Sequence, residues 1–161
     1  MGITHKKEIK LSKLLKDNLI NLELQGKDKN TVISELVELL SKSKKIKNKK
    51  LFLKVILERE KLGSTGIGNG VAIPHAKAEG VGDFIISFAR KDAGIDFGAL
   101  DGEKTYLFFA LASSKNEVGG HLKILAQISH LVRDKFIVEL LRRAQNKKEI
   151  LKIIADTEKH P

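Results

Sequence analysis

Cysteine is absent from this 161-residue chain. That removes disulfides, thiolate metal sites and cysteine nucleophiles together, and it agrees with a reducing compartment. Tryptophan is absent as well, tyrosine occurs once, and aromatics make up 5% of the residues. Most phenylalanines lie inside apolar strings, which leaves no platform on which nucleic-acid bases could stack. No run approaches the roughly 18 apolar residues of a membrane span. The N-terminal Met1-Gly2-Ile3-Thr4-His5-Lys6-Lys7 lacks the apolar core of a signal peptide. Internal repeats and low-complexity linkers are also missing. A soluble, cytoplasmic protein is the expectation. The length favours one domain spanning 1–161 with a core at about 10–155. A chain of this size can bury roughly 70% of its unfolded surface, enough for a core without staples.

Charge is present in excess and unevenly spread. The net charge is +10; residues 1–60 hold 15 Lys/Arg against 8 Asp/Glu, and the remaining 101 hold 15 against 12. Between Lys42 and Lys50 there are six lysines and no acid. Such a run can face nucleic acid or another anionic partner. A solvated loop between two helices is the plainer reading, and no nucleic-acid partner is expected.

The pattern of apolar residues changes along the chain. Lys10–Lys16 is a short helix candidate, and Leu19–Leu24 alternates enough to read as a strand before Gly26. Val32, Ile33, Leu36, Val37, Leu39 and Leu40 recur at helical steps behind a cap at Asp28 or Asn30. Asn48 caps a second helix that ends near Leu62-Gly63. Strand candidates follow at Val71–Pro74, Asp83–Arg90 and Thr105–Ala112. The last is almost unbroken apolar sequence, as in a central strand. Helical periodicity returns from about Gly119, and Asp134 and Asn146 can cap helices over Lys135–Ala144 and Lys147–Ala155. Helices, then strands, then helices predict an α/β fold, a mixed β-sheet covered by helices.

The richest segment is Arg59–Lys77, REKLGSTGIGNGVAIPHAK. Four glycines between Gly63 and Gly70 forbid regular helix. Pro74 fixes its own φ and holds Ile73 extended, so the chain is stiff where His75 emerges. A neutral imidazole is a competent nucleophile toward phosphorus near neutral pH. His121 follows Gly119-Gly120 at a predicted helix start, where the helix end favours phosphate. Arg59 can contact phosphate oxygens and keeps its charge. Ser64 and Thr65 could donate hydroxyls to the same group, and Asn69 and Asp101 read as turn residues. The loop lacks the last glycine of G-x-G-x-x-G, precedes a strand, and lacks the Gly-Lys-Ser/Thr of a P-loop. No cofactor is expected. No third metal ligand accompanies His75 and His121. His130 points elsewhere on its helix, and His5 and His160 lie near the termini, where disorder is expected.

The block Arg59-Glu60…Ser64-Thr65-Gly66-Ile67-Gly68…Ile73-Pro74-His75, followed by Asp96–Gly102 and His121–Ala126, resembles the IIA phosphocarrier domain of the phosphoenolpyruvate-dependent sugar phosphotransferase system. The class is the fructose/mannitol/nitrogen-regulatory one, and the likeness covers roughly Leu11 to Ala155. It implies the fructose/mannitol-type sandwich. It implies that His75 is the phosphoryl acceptor, with His121 beside it and Arg59 nearby, and that the phosphotransferase uses Nε2. The implied donor is phosphorylated HPr, the small histidine phosphocarrier. The implied acceptor is a IIB component that phosphorylates a fructose-like sugar, with membrane IIC involved only indirectly. A nitrogen-regulatory protein of the same fold, acting through binding to targets, is the alternative. The basic charge is not explained by the likeness.

Overall fold

The computed structural model describes residues 8–160. His5 and the other six N-terminal residues lie outside them, as does Pro161. Helix α1 (Leu11–Leu14) and a 3-10 turn (Asp17–Leu19) lead to the short strand β1 (Ile20–Asn21). Helices α2 (Lys29–Ser41) and α3 (Lys49–Lys61) follow, then strands β2 (Gly66–Gly68), β3 (Val71–Ala72), β4 (His75–Ala78), β5 (Ile85–Ile95) and β6 (Thr105–Ser114). Helices α4 (Val118–Arg133), α5 (Lys135–Arg143) and α6 (Lys147–Lys159) complete the described chain.

Side chains start four of the helices. Asp28 accepts from the Thr31 N–H at 2.9 Å, Asn48 from Leu51 at 3.0 Å, Asp134 from Phe136 at 2.9 Å and Asn146 from Glu149 at 2.9 Å. Each satisfies an N–H that the first helical turn would otherwise leave bare. The apolar stripe behind Asp28 is fully buried: Val32, Ile33, Leu36, Val37, Leu39 and Leu40.

The sheet runs β1-β5-β6-β3-β2, and β4 also pairs with β6. It is mixed: β5 and β6 are antiparallel, whereas β3 and β4 run parallel to β6. Strand β6 is the centre of the sheet, as its apolar run predicts. Successive residues face opposite sides of a strand, so Phe108 and Phe109 enter different layers. Phe108 meets Phe97 edge-on with ring centroids 5.4 Å apart, and Phe109 meets Phe88 at 5.1 Å. Helices α2 and α3 pack on one another and against β4, β5 and β6; α1, α4, α5 and α6 form a second group that also reaches the sheet. This is the α/β sandwich expected.

Four boundaries differ from the sequence reading. The Leu19–Leu24 strand is cut to two residues, because the Asn21 side chain accepts the Glu23 N–H at 2.9 Å and bends the chain out of register; it returns to β5 at Leu24, whose N–H donates to the Arg90 carbonyl at 3.0 Å. Strand β5 runs five residues past Arg90, through a register shift between Arg90 and Ile95. Those five residues contain Lys91, Asp92 and Gly94, which carry no hydrophobic signal. The strand Val71–Pro74 is really two pieces of one line. Val71 pairs with Leu107 and His75 with Leu111, in the same register, on either side of Ile73-Pro74. His75 therefore opens a strand instead of closing one. Helix α6 continues to Lys159, and His160 is its ordered C-cap.

Candidate functional site

The site forms where the line of β3 and β4 breaks. Pro74 has no N–H to give β6, but its carbonyl accepts from the Leu111 N–H at 2.9 Å. The Ile73 N–H turns back to the Thr65 carbonyl at 3.0 Å. The stiff pair thus anchors the glycine loop on one side and seats His75 on the other. Gly68 and Gly70 have φ of +94° and +77°, values open to glycine at no steric penalty.

The His75 ring is half-buried, with Nδ1 2.7 Å from the Ile73 carbonyl oxygen. A carbonyl only accepts, so Nδ1 carries the hydrogen and Nε2 carries the lone pair. Burial holds the His75 pKa below its ordinary 6.5, and the Arg59 charge pushes the same way; the Ile73 carbonyl and Glu60 act against them. His75 is accordingly a neutral ring with one free, nucleophilic nitrogen at neutral pH.

His121 lies in the first turn of α4, buried, its ring centroid 5.5 Å from that of His75. Burial, then the neighbouring His75 and Lys77, lower its pKa to about 4. Its Nδ1 is hydrogen-bonded to the Ser113 hydroxyl at the end of β6. The Glu117 side chain makes no cap bond at this helix start. Gly120, one residue before His121, lies so close against the Phe84 ring that a side chain there would collide with it.

The other candidates are placed as follows. Arg59 stands in the last turn of α3, and its Nη1 donates to the Gly63 carbonyl at 3.0 Å. The Ser64 hydroxyl donates to the Phe97 carbonyl at 2.8 Å, and Thr65 Oγ1 donates to Glu60 Oε2 at 2.6 Å. Both hydroxyls are therefore occupied in holding the loop. Glu60 is buried; its Oε1 accepts the Thr65 N–H at 2.8 Å and pairs with Lys29 Nζ at 2.8 Å. Lys29 also donates to the Phe97 carbonyl at 3.1 Å and lies 4.7 Å from that ring's centroid. His130 is exposed on α4, away from the pair. Asn69 and Asp101 meet in the turns, the Asn69 N–H donating to Asp101 Oδ2 at 3.1 Å.

Sequence reading missed Glu60, Lys29 and Ser113. Glu60 stood next to a named candidate. Lys29 is one of 30 Lys/Arg with nothing local to distinguish it. Ser113 ends an apolar strand, where a hydroxyl has a ready explanation in solvent.

The chain is similar along most of its length to known proteins. The chain is 35% identical over 158 residues to the nitrogen regulatory protein of Escherichia coli strain K12, covering 95% of this chain and 94% of that one. It is 36% identical over 151 residues to the fructose-specific EIIABC component of Bacillus subtilis strain 168, covering 94% of this chain but only 24% of that protein. The crystal structure of nitrogen regulatory protein IIA-Ntr from Neisseria meningitidis superposes with a TM-score of 0.84 at 31% identity, covering 89% of this chain and 97% of that one. Residues 13–157 match the family described as phosphoenolpyruvate-dependent sugar phosphotransferase system, EIIA 2, and the chain belongs to that family.

Proposed function

We propose that this protein is a IIA phosphocarrier that takes a phosphoryl group on Nε2 of His75 and passes it on. The observation that carries the reading is the Ile73 carbonyl on Nδ1, which leaves Nε2 as the nucleophile. In the forward step the P–N bond of a donor phosphohistidine breaks as the P–Nε2 bond forms. The donor imidazole leaves with the electron pair. Positive charge grows on the His75 ring, and the Ile73 carbonyl stabilises it where it develops. Phosphoryl transfer asks for little beyond this positioning and charge.

His121, neutral at pH 7, serves as a donor from Nε2 to a phosphoryl oxygen if the Ser113 hydroxyl donates to Nδ1. Arg59 supplies the fixed positive charge beside the group. Ser64 and Thr65 shape the loop through Phe97 and Glu60 and support phosphate binding indirectly.

Donor and acceptor must use one face in turn. Leu62 after α3, Ile67 in β2, Leu100 beside Gly66, and Val118 and Leu122 flanking His121 on α4 are exposed apolar side chains on the elements that form the site. A transient interface with an apolar centre fits them. The donor we infer is phosphorylated HPr, and the acceptor is a IIB component feeding uptake of a fructose-like sugar. A cytoplasmic setting suits both partners, and among the described residues no helix is long and apolar enough to cross a membrane.

A nitrogen-regulatory role is the second reading. It is supported by 35% identity to nitrogen regulatory proteins; the fructose-specific components stand at 32% and 36%. The test begins with phosphoenolpyruvate, enzyme I and HPr, read by intact mass. One acid-labile phosphoryl group is expected, absent in His75→Ala. No gain with active HPr would sink the carrier reading for that donor. Loss of the label to an added IIB domain would support transport; retention, with target binding that changes on phosphorylation, would support regulation.

A further inference from the structure

The lysine run that the phosphocarrier reading leaves unexplained borders a cleft whose lining includes neither His75 nor His121. The cleft has a volume of about 420 Å³. Its apolar floor is Leu14, Leu19, Phe84 and Ile85, and its rim is Lys13, Lys16, Asn18, Lys42, Ser43 and Lys45. Two distant segments supply the lysines. Lys13 and Lys16 come from α1 and the chain just after it. Lys42 and Lys45 come from the turn after α2, where Lys44 takes φ of +62° and bends the chain. That turn is held by its backbone: the Gly82 N–H donates to the Lys45 carbonyl at 2.9 Å, and the Lys47 N–H to the Gly80 carbonyl at 2.8 Å.

Four lysines thus line one concavity. Among the described residues they have one acidic partner, the exposed Asp83, 3.7 Å from Lys45. Lys49, by contrast, is engaged by Glu38 at 2.6 Å and lies outside the cleft. An excess of three positive charges over an apolar floor matches a compact polyanion with a non-ionic body. A volume of this order suits a small ligand. A nucleic-acid strand would need charges spread along a stripe and aromatic stacking partners; here the lysines line one cleft, and the one aromatic ring present is Phe84.

We propose that this cleft binds a small anion carrying two or more phosphoryl groups. The site uses residues other than His75 and does not rest on the phosphocarrier reading; its Phe84 also packs against Gly120 beside His121.

The test is titration of the full chain with inorganic pyrophosphate and with tripolyphosphate, followed by NMR of backbone amides and the Phe84 ring. Saturable shifts centred on Asn18, Ser43 and Phe84 are expected, with tripolyphosphate tighter than orthophosphate. The double substitutions Lys16→Gln/Lys42→Gln and Lys13→Gln/Lys45→Gln each weaken binding about tenfold or more, as loss of charge-assisted contacts to phosphate requires. All four positions are exposed, so their unfolding midpoints stay close to the parent's. Shifts spread equally over Lys123, Lys147 and Lys148, or an affinity in both variants equal to the parent's, would overturn the proposal. So would a short DNA oligomer that displaces tripolyphosphate and binds more tightly, because that marks a polymer surface.

Discussion

Acid should weaken this fold, with His121 a large contributor. His121 is buried and its pKa is lowered to about 4 from 6.5. Between those values the unfolded chain binds a proton that the folded chain refuses, so stability rises with pH across that window and falls as acid is added. The stabilisation is essentially complete above pH 6.5 and is lost progressively toward pH 4. At 1.36 kcal/mol per pKa unit, the full gap is worth about 3 kcal/mol, of which about 2 kcal/mol is lost between pH 7 and 4.5. His75, shifted the same way, adds to the trend. The assay is urea unfolding at several pH values, comparing the parent with His121→Asn, which keeps a polar side chain but cannot titrate. Carboxylates such as Asp28 and Asp156, whose pKa values are lowered by hydrogen bonds, also lose stabilisation in acid, but equally in both proteins. The difference between the two curves therefore isolates His121. If the variant shows the same acid slope as the parent from pH 7 to 4.5, the account of a neutral, desolvated His121 is wrong.

Three further perturbations follow from the same geometry. Lys29→Met leaves Glu60 buried without its cation and should lower stability by about 3–5 kcal/mol at neutral pH, read by denaturant midpoint; a change within 0.5 kcal/mol would show the pair to be dispensable. Gly120→Ala drives a methyl into the Phe84 ring and should cost about 1–3 kcal/mol, with much of the loss recovered by adding Phe84→Leu; no recovery would place the strain elsewhere. Ser113→Ala removes the partner of His121 Nδ1 and should lower stability by about 1–3 kcal/mol while slowing phosphoryl acceptance by His75; an unchanged acceptance rate would remove Ser113 from the positioning of the site.

Most of the architecture could be read from local chemistry. Asp28, Asn48, Asp134 and Asn146 cap helices because each cap needs only a side-chain oxygen beside a bare N–H. The apolar string of β6 declared a strand covered on both faces. What escaped was set by pairing across the chain. The polar end of β5 is strand because Ile95 finds Thr105, and β1 stops early because Asn21 captures a neighbouring amide. The site divides the same way. The residues of the Arg59–His75 segment, together with His121, were visible as candidates, but the Lys29–Glu60–Thr65 connection joins positions that no local pattern relates. The hydroxyls of Ser64 and Thr65 looked free in sequence and are engaged in the fold.

The partner of His75 Nδ1 is a main-chain oxygen, presented by the residue that Pro74 holds extended. No side-chain replacement at Ile73 can delete it. On the proposed phosphocarrier reading, the choice of reacting nitrogen is written into the path of the backbone, while the apolar side chains around it remain free to change. Such a division would let descendants of this domain exchange one docking partner for another without relearning how to hold the phosphoryl group.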